Sequence, residues 1–254
     1  MLVTLVYTIM LPCTIMKEDS EMKQKIKTAL INISLILGAA LLVVNTPKLH
    51  RTYIRSVVSD NVVMLLTEKG GGTGWVVNTP NGNQVTVTNN HICEGMDYLL
   101  AKTDQGEIFL EVLERSAKQD VCILTPVPGR SGLDLASDPD VGDTVFVIGH
   151  PYLLPKTLTH GEFTGFFKST ELAGFTEDAN DKDCDETIPF MGLYACIKSV
   201  DAGLIALAIS PGNSGSPVVN VYGNVVGVVY AGYQIGISNL FVPSKFVADL
   251  IKMY

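Results

Sequence analysis

A chain of 254 residues and 27.4 kDa, with 47% hydrophobic residues and 23 glycines, has the composition of a packed, turn-rich globular protein and not of a disordered one. Its formal net charge is −8, and from Leu49 onward 13 Lys and Arg stand against 23 Asp and Glu, so that part carries no basic footprint for nucleic acid. The length suits one large domain or two small ones.

Residues 1–50 read as a separate leader. Residues 1–16 are largely apolar but broken by Pro12, and Lys17, Lys23, Lys25 and Lys27 precede an apolar run at 29–44. A basic leader, an apolar centre and the small residues Gly38-Ala39-Ala40 have the layout of a secretory signal. Extended to 28–46, the run is only just long enough for a bilayer, which takes about 20 residues, and Asn32 and Ser34 weaken it as a span. The expectation is an N-terminal hydrophobic helix that engages a membrane, as a cleaved signal or a retained transmembrane anchor, with the rest of the chain extracytoplasmic. Lys48, Arg51 and Arg55 follow the run, so the charge bias toward a cytoplasmic N-terminus is weak. Met22 opens a signal-like segment of its own, which leaves two starts open.

From Thr52 the pattern changes to short strands. Residues 57–66, 74–77, 84–88, 107–112 and 121–124 are rich in apolar and β-branched side chains, with Gly70-Gly71-Gly72 and Thr79-Pro80-Asn81-Gly82-Asn83 among the turns between them. A second set follows at 144–148, 158–167, 204–209, 217–221, 225–230 and 236–242. Pro126-Val127-Pro128-Gly129-Arg130-Ser131-Gly132 separates the two as a linker. Many short strands and few long helical periods predict an all-β protein of two antiparallel β-barrels, at 52–130 and 137–254. A helix closes the chain at 243–254, with Ser244 as N-cap and Phe246, Val247, Leu250 and Ile251 on one face.

Three short stretches carry side chains suited to acyl transfer. Pro211-Gly212-Asn213-Ser214-Gly215-Ser216-Pro217 lies between two apolar runs, and its glycines let a tight turn aim backbone N–H groups at one point. A serine in such a turn is a candidate nucleophile beside an oxyanion site; alone, the heptapeptide is equally an ordinary turn. His91 ends the alternating stretch Gln84-Val85-Thr86-Val87-Thr88-Asn89-Asn90, and Asp120 heads Val121-Cys122-Ile123-Leu124. Each is unremarkable by itself. Together they supply a base that takes a proton near neutral pH and a carboxylate that fixes its tautomer.

In this order and these contexts the three stretches resemble the catalytic motifs of chymotrypsin-like serine proteases, most of all the HtrA (DegP-type) branch. The resemblance extends to Gly72-Thr73-Gly74-Trp75-Val76-Val77, Val141-Gly142-Asp143, Val147-Ile148-Gly149-His150-Pro151 and Phe241-Val242-Pro243-Ser244, and covers roughly residues 55–254. It implies two six-stranded barrels, Ser214 as nucleophile, His91 as general base, Asp120 as its orienting acid, and the N–H groups of Gly212 and Ser214 as the oxyanion hole. It further implies that Ala208, Ile209, Val229, Tyr230 and Gly232 border the primary specificity pocket. These are small or apolar apart from Tyr230, so cleavage after small to medium aliphatic residues is expected.

Departures from the family pattern are informative. Ser216 stands where the HtrA branch commonly has glycine; glutamyl endopeptidases are similar there, but Val229 occupies the place of their pocket histidine. Tyr230 replaces a small residue beside the cleft. Asn213 stands where trypsin-like zymogens carry an aspartate that captures a new N-terminus, so activation by N-terminal cleavage is not expected. The resemblance stops at Tyr254 without the PDZ domain usual in the HtrA branch.

Residues 168–202 match nothing in that family and read as an acidic, solvated loop near the active-site face. Asp181, Asp183 and Asp185 mimic the opening of a calcium loop, but Glu186 replaces its glycine and Gly192 its closing glutamate. Cys93, Cys122, Cys184 and Cys196 pair as Cys93–Cys122 and Cys184–Cys196 or remain thiols, and no spacing suggests zinc. Neither a metal nor a cofactor is expected. The expected partners are protein or peptide substrates, not nucleic acid, and no motif speaks to oligomeric state. Two function classes fit: a serine endopeptidase, or a catalytically silent protein that uses the same cleft to hold peptides.

Overall fold

The computed structural model describes residues 20–68, 70–180, 186–235 and 238–254, and the chain divides into two compact units, one through Leu49 and one from His50 to Tyr254. α1 (Ser20–Val58) is a helix of 39 residues. In its first-unit part Leu30, Ile33, Leu35 and Ile36 are exposed. Among the described residues no helix is long and apolar enough to cross a membrane, so the transmembrane anchor expected at 29–44 is not supported. Lys25, Lys27, Asn32 and Ser34 dilute the run on its amino side, and the side chains of residues 37–44 lie outside the described residues.

The second unit begins with the end of that helix. Ile54 and Val58, four residues apart and so on one helical face, are fully buried, which keeps helix through Val58 where a strand was expected from residue 57. After a 3-10 turn (Ser59–Asn61) the first barrel follows: β1 (Val62–Thr67), β2 (Gly70–Asn78), β3 (Gln84–Thr88), β4 (Tyr98–Thr103), β5 (Gly106–Ser116) and β6 (Val121–Leu124). The strands close antiparallel in the order β1-β2-β3-β6-β5-β4, with β4 returning to β1. β4 is a strand beyond those expected from the sequence, and its end, Lys102-Thr103, is polar. Leu99 and Ala101 alternate into the barrel and make it a strand.

The second barrel contains β7 (Thr144–Gly149), β8 (Thr157–Thr176), β9 (Glu186–Phe190), β10 (Leu193–Ala206), β11 (Pro217–Val219), β12 (Val225–Ile235) and β13 (Ser238–Pro243). Its sheet runs β13-β12-β11-β7-β8-β10-β9, and pairing of β10 with β13 closes six strands and leaves β9 outside. The expected acidic loop at 168–202 is instead largely strand. β8 and β10 continue their ladder from the barrel out to Thr176 and Tyr194, and β9 pairs on the far side of β10. Asp181, Asp183, Asp185, Cys184 and the side chain of Cys196 lie outside the described residues.

Three apolar clusters account for the arrangement. Val63, Leu65, Val76, Leu99, Leu110 and Leu124 fill the first barrel, and Val145, Val147, Phe163, Ile205, Val229 and Phe241 fill the second. Between the barrels lies a third cluster: Trp75, Val87, Val121 and Ile123 from one side, Phe146, Ile148, Val225 and Val228 from the other. Strands at this seam are buried on both faces. That is why residues 121–124 and 225–229 are continuous apolar runs rather than alternating ones. Leu133 N–H donates to Val76 O and Asn78 N–H to Leu133 O, while Ala136 N–H donates to Val225 O, so the linker is pinned to both barrels. α2 (Asn90–Cys93) is a single turn after β3. α3 (Ser244–Ile251) buries Val247 and Ile251 in the seam with Phe246 and Leu250 packed against them. Ser244 is not its cap: the helix already includes it, and its hydroxyl donates to Ala136 O at 2.7 Å.

Candidate active site

His91 sits on α2, and Asp120 ends the tight turn into β6. β3 and β6 are paired neighbours, with Thr88 opposite Cys122, so both residues emerge from the same end of one ladder. Asp120 adopts φ +51, a left-handed conformation that aspartate tolerates better than most residues and that turns its side chain toward α2. Its carboxylate accepts two hydrogen bonds from one residue: His91 N–H to Oδ1 at 2.9 Å and His91 Nδ1 to Oδ2 at 2.8 Å. The second bond places the ring proton on Nδ1 and leaves Nε2 as the acceptor. Behind the pair, the buried Asn89 donates from Nδ2 to Asp120 O at 3.0 Å. The disulfide Cys93–Cys122 staples α2 to β6 two residues beyond each partner. Of the pairings left open by the sequence, this one forms.

Ser214 occupies a turn between β10 and β11. Asn213 N–H donates to Ser210 O, Ser216 N–H to Asn213 O and Gly215 N–H to Val229 O, while Val229 N–H donates to Ser216 O. The turn is thereby bonded to β12. It is equally bonded to the first barrel, because Thr73 N–H donates to Ser214 O at 2.8 Å and Thr73 Oγ1 donates to Gly212 O at 2.9 Å. Gly72 lies between the two halves of the site. A side chain there would meet both Ser214 O, at 2.8 Å, and the Ile92 side chain next to His91, at 3.0 Å. Tyr230 completes the convergence, its ring set edge-on to His91 with centroids 5.7 Å apart and an interplanar angle of 86°.

The residues assigned to the pocket divide. Val229 is fully buried in the second-barrel core, and its backbone is bonded to the serine turn. Tyr230, the next residue, faces the opposite way, toward His91. Between Tyr230 and Gln234 the β12 ladder shifts register, and Gly232 falls in that bulge. Ala208 is exposed and Ile209 half-buried against the second-barrel core, both in the approach to the turn. Among the described residues no cluster of His, Cys, Asp or Glu is arranged to hold a metal ion.

Two residues without an assigned role in the sequence belong to this site. One is Thr73. The other is His150, buried at the end of β7, whose Nδ1 is 3.0 Å from Leu154 O and whose carbonyl crowds Gly212. Burial pushes the His150 imidazole below its ordinary 6.5, with the Lys156 charge adding to the effect and the bond to Leu154 O opposing it. The unfolded chain therefore takes up this proton at a higher pH than the folded one. The stability linked to it is intact above about pH 6.5 and is lost as the pH falls toward the folded-state value. Thermal unfolding followed from about pH 7 to about pH 5 is expected to show a falling Tm, and His150→Gln to flatten that slope.

Comparison with known proteins agrees with this construction. The family model of the trypsin-like peptidase domain matches residues 72–228, which takes in all three motif stretches and most strands of both barrels. The chain belongs to that family. Among individual members it is 29% identical over 169 residues to the serine protease Do-like HtrA of Bacillus subtilis, covering 64% of this chain and 33% of that relative. A probable periplasmic serine protease do/HhoA-like of Haemophilus influenzae is 27% identical over 194 residues, covering 72% of this chain and 36% of the relative. The chain thus spans about a third of the length of these curated relatives. The crystal structure of the Rv3671c protease from M. tuberculosis in its active form superposes with a TM-score of 0.62 at 21% identity, over 80% of this chain and 84% of that one. That likeness establishes the chymotrypsin-like, HtrA-type fold.

Proposed function

We propose that this trypsin-like domain is a serine endopeptidase that hydrolyses protein or peptide substrates through an acyl-enzyme on Ser214. The observation that carries the reading is the pair of hydrogen bonds that His91 donates to one carboxylate. With Nδ1–H committed to Asp120, the imidazole presents Nε2 as a base, and a ring held by both its backbone and its side chain needs little reorganisation to act. In this mechanism Ser214 Oγ attacks the scissile carbonyl as His91 takes its proton. The N–H groups of Gly212 and Ser214 receive the oxyanion, and His91 then protonates the leaving amine. Water repeats the sequence to release the acid. Each oxyanion donor contributes about 3–4 kcal/mol to the transition state in enzymes of this kind. The chemistry is complete with this chain's own groups and calls on neither metal nor cofactor.

The silent peptide-binding alternative has no use for a histidine hydrogen-bonded to a carboxylate beside a buried serine turn. The experiment that decides is labelling with a fluorophosphonate, which traps an activated serine. An adduct on Ser214 that disappears in Ser214→Ala and in His91→Ala is expected, and a wild-type chain that stays unlabelled defeats the reading.

Specificity follows from what lines the approach to the turn. Ala208, Ile209, Tyr230 and Gly232 bring no carboxylate or ammonium group, so a charged side chain finds no counter-ion there and pays its desolvation uncompensated. A peptide library is expected to return cleavage after small to medium aliphatic residues; dominant cleavage after Arg, Lys or Glu contradicts this. We place the domain outside the cytoplasm. Disulfides persist in oxidising compartments, Cys93–Cys122 is formed, and one of the relatives is named as periplasmic.

A further inference from the structure

We propose that Thr73, on β2 of the first barrel, is a positioning residue for the oxyanion side of the serine turn, acting through its hydroxyl; the inference rests on the peptidase reading above. Thr73 is fully buried, and four of its hydrogen bonds reach three different segments. Its N–H donates to Ser214 O at 2.8 Å, and its carbonyl accepts from Thr88 Oγ1 on β3 at 2.8 Å. Its hydroxyl donates to Gly212 O at 2.9 Å and accepts from His150 N–H at 3.0 Å.

The two turn carbonyls that Thr73 holds belong to Gly212 and Ser214, the residues whose N–H groups are assigned to the oxyanion. Gly212 needs holding from outside. It has φ +92, and a Cβ there would fall 2.3 Å from His150 O, so no side chain at 212 can restrain the backbone itself. The peptide group before Gly212 is fixed by Tyr152 N–H, which donates to Pro211 O at 2.5 Å. Because a trans peptide is planar, that bond turns the Gly212 N–H in the opposite direction, away from Tyr152. The peptide group after Gly212 is fixed by the Thr73 hydroxyl. One residue therefore has both of its flanking peptide planes pinned.

The same hydroxyl links these two restraints. Tyr152 and Leu153 both adopt left-handed conformations, at φ +53 and +56, in a loop that starts at His150. The Thr73 hydroxyl anchors the N–H at the head of that loop while it holds the glycine that the loop orients. Thr73 also lies one residue from Gly72, which is wedged between Ser214 and Ile92. Its position registers the serine turn of one barrel against the strand end that carries the base in the other.

Valine has the shape of threonine but neither hydrogen bond, and serine keeps both bonds with one methyl fewer. The test compares wild type, Thr73→Val and Thr73→Ser on one peptide substrate, with rates expressed per active site titrated by a fluorophosphonate. Titration counts only folded, competent sites. In Thr73→Val, kcat is expected to fall about 10- to 100-fold with KM within about twofold, the pattern of an interaction felt in the transition state. Affinity for a peptide boronic acid, whose serine adduct mimics the tetrahedral state, is expected to fall in parallel with kcat. Thr73→Ser is expected to stay within about threefold of wild type. If Thr73→Val does not accumulate as folded protein, Thr73→Cys takes its place, since it keeps the bulk and replaces the hydroxyl with a weak hydrogen-bonding thiol. Unchanged kcat and boronate affinity in the hydroxyl-less variant overturn the inference, as does an equal loss in Thr73→Ser. A wild-type chain that neither labels nor hydrolyses overturns the peptidase reading and this inference with it, which separates that failure from the others.

Discussion

Asp120→Asn is expected to lower kcat about 10⁴-fold while leaving the fold and KM nearly unchanged. The reason lies in the two bonds that the carboxylate accepts. His91 N–H points at Oδ1, and an amide oxygen placed there still accepts it. The second position, now an NH₂, must face His91 Nδ1 at the site where Oδ2 stands 2.8 Å away. A donor facing Nδ1 stabilises the tautomer with the proton on Nε2, and that tautomer cannot take a proton from Ser214. The substitution therefore leaves the geometry in place and inverts the polarity of the base. Steady-state kinetics on a peptide substrate read the effect, and fluorophosphonate labelling should slow in step with it. A loss smaller than about tenfold would mean that the pair does not set the reactivity of the serine.

Gly215→Ala is expected to destabilise the fold by about 2–5 kcal/mol, combining about 1–3 for overpacking with about 1–2 for a left-handed non-glycine residue. At φ +84 its added Cβ would lie 2.1 Å from Thr73 O and 2.3 Å from Thr88 Oγ1. The first of these is backbone in the middle of a closed barrel and has no rotamer through which to escape. Relief would have to separate the serine turn from β2, which breaks the Thr73 N–H to Ser214 O bond as well. Gly142→Ala is the matched control. It has a similar φ of +94 but nothing within 4 Å of the added atom, so only the conformational share, about 1–2 kcal/mol, is expected. Urea unfolding of both variants against wild type separates the two contributions. Equal losses would show that Gly215 is required for its backbone angle alone.

Both effects trace to contacts between segments far apart in the chain, and these mark how far a reading of the sequence reaches. The alternation of 84–88, the unbroken apolar run 121–124 and the many Gly and Pro turns were sufficient for an all-β protein of two barrels closed by a helix. Strand periodicity is local, and each strand writes its own. The order of His91, Asp120 and Ser214 is legible for the same reason: each stands at a strand end beside its own small turn.

Other features depended on partners that no local pattern names. Helix persists to Val58 because Ile54 and Val58 find the seam between the barrels. Residues 98–103 become β4 because β1 and β5 offer edges on either side, which outweighs the polar residues at its end. The acidic stretch at 168–202 reads as a loop by composition and forms a ribbon because β8 and β10 extend a ladder that the barrel has already started. Val229 sits one residue from Tyr230 on a strand where only the direction of the pleat decides which of them meets the histidine.

At the site itself, the amino-acid sequence by itself determined the chemical inventory: a serine in a glycine turn, a histidine, an acid, and apolar neighbours. The tertiary structure alone decided that one carboxylate holds His91 twice, that Cys93 bonds Cys122, and that a threonine on the opposite barrel grips both carbonyls of the serine turn. Composition and periodicity record what each residue can do and which face of its strand it occupies. Bonds between segments 29 residues apart, as at His91–Asp120 and Cys93–Cys122, or 139 apart, as at Thr73–Gly212, leave no period in the sequence, so they come into view only in the folded chain.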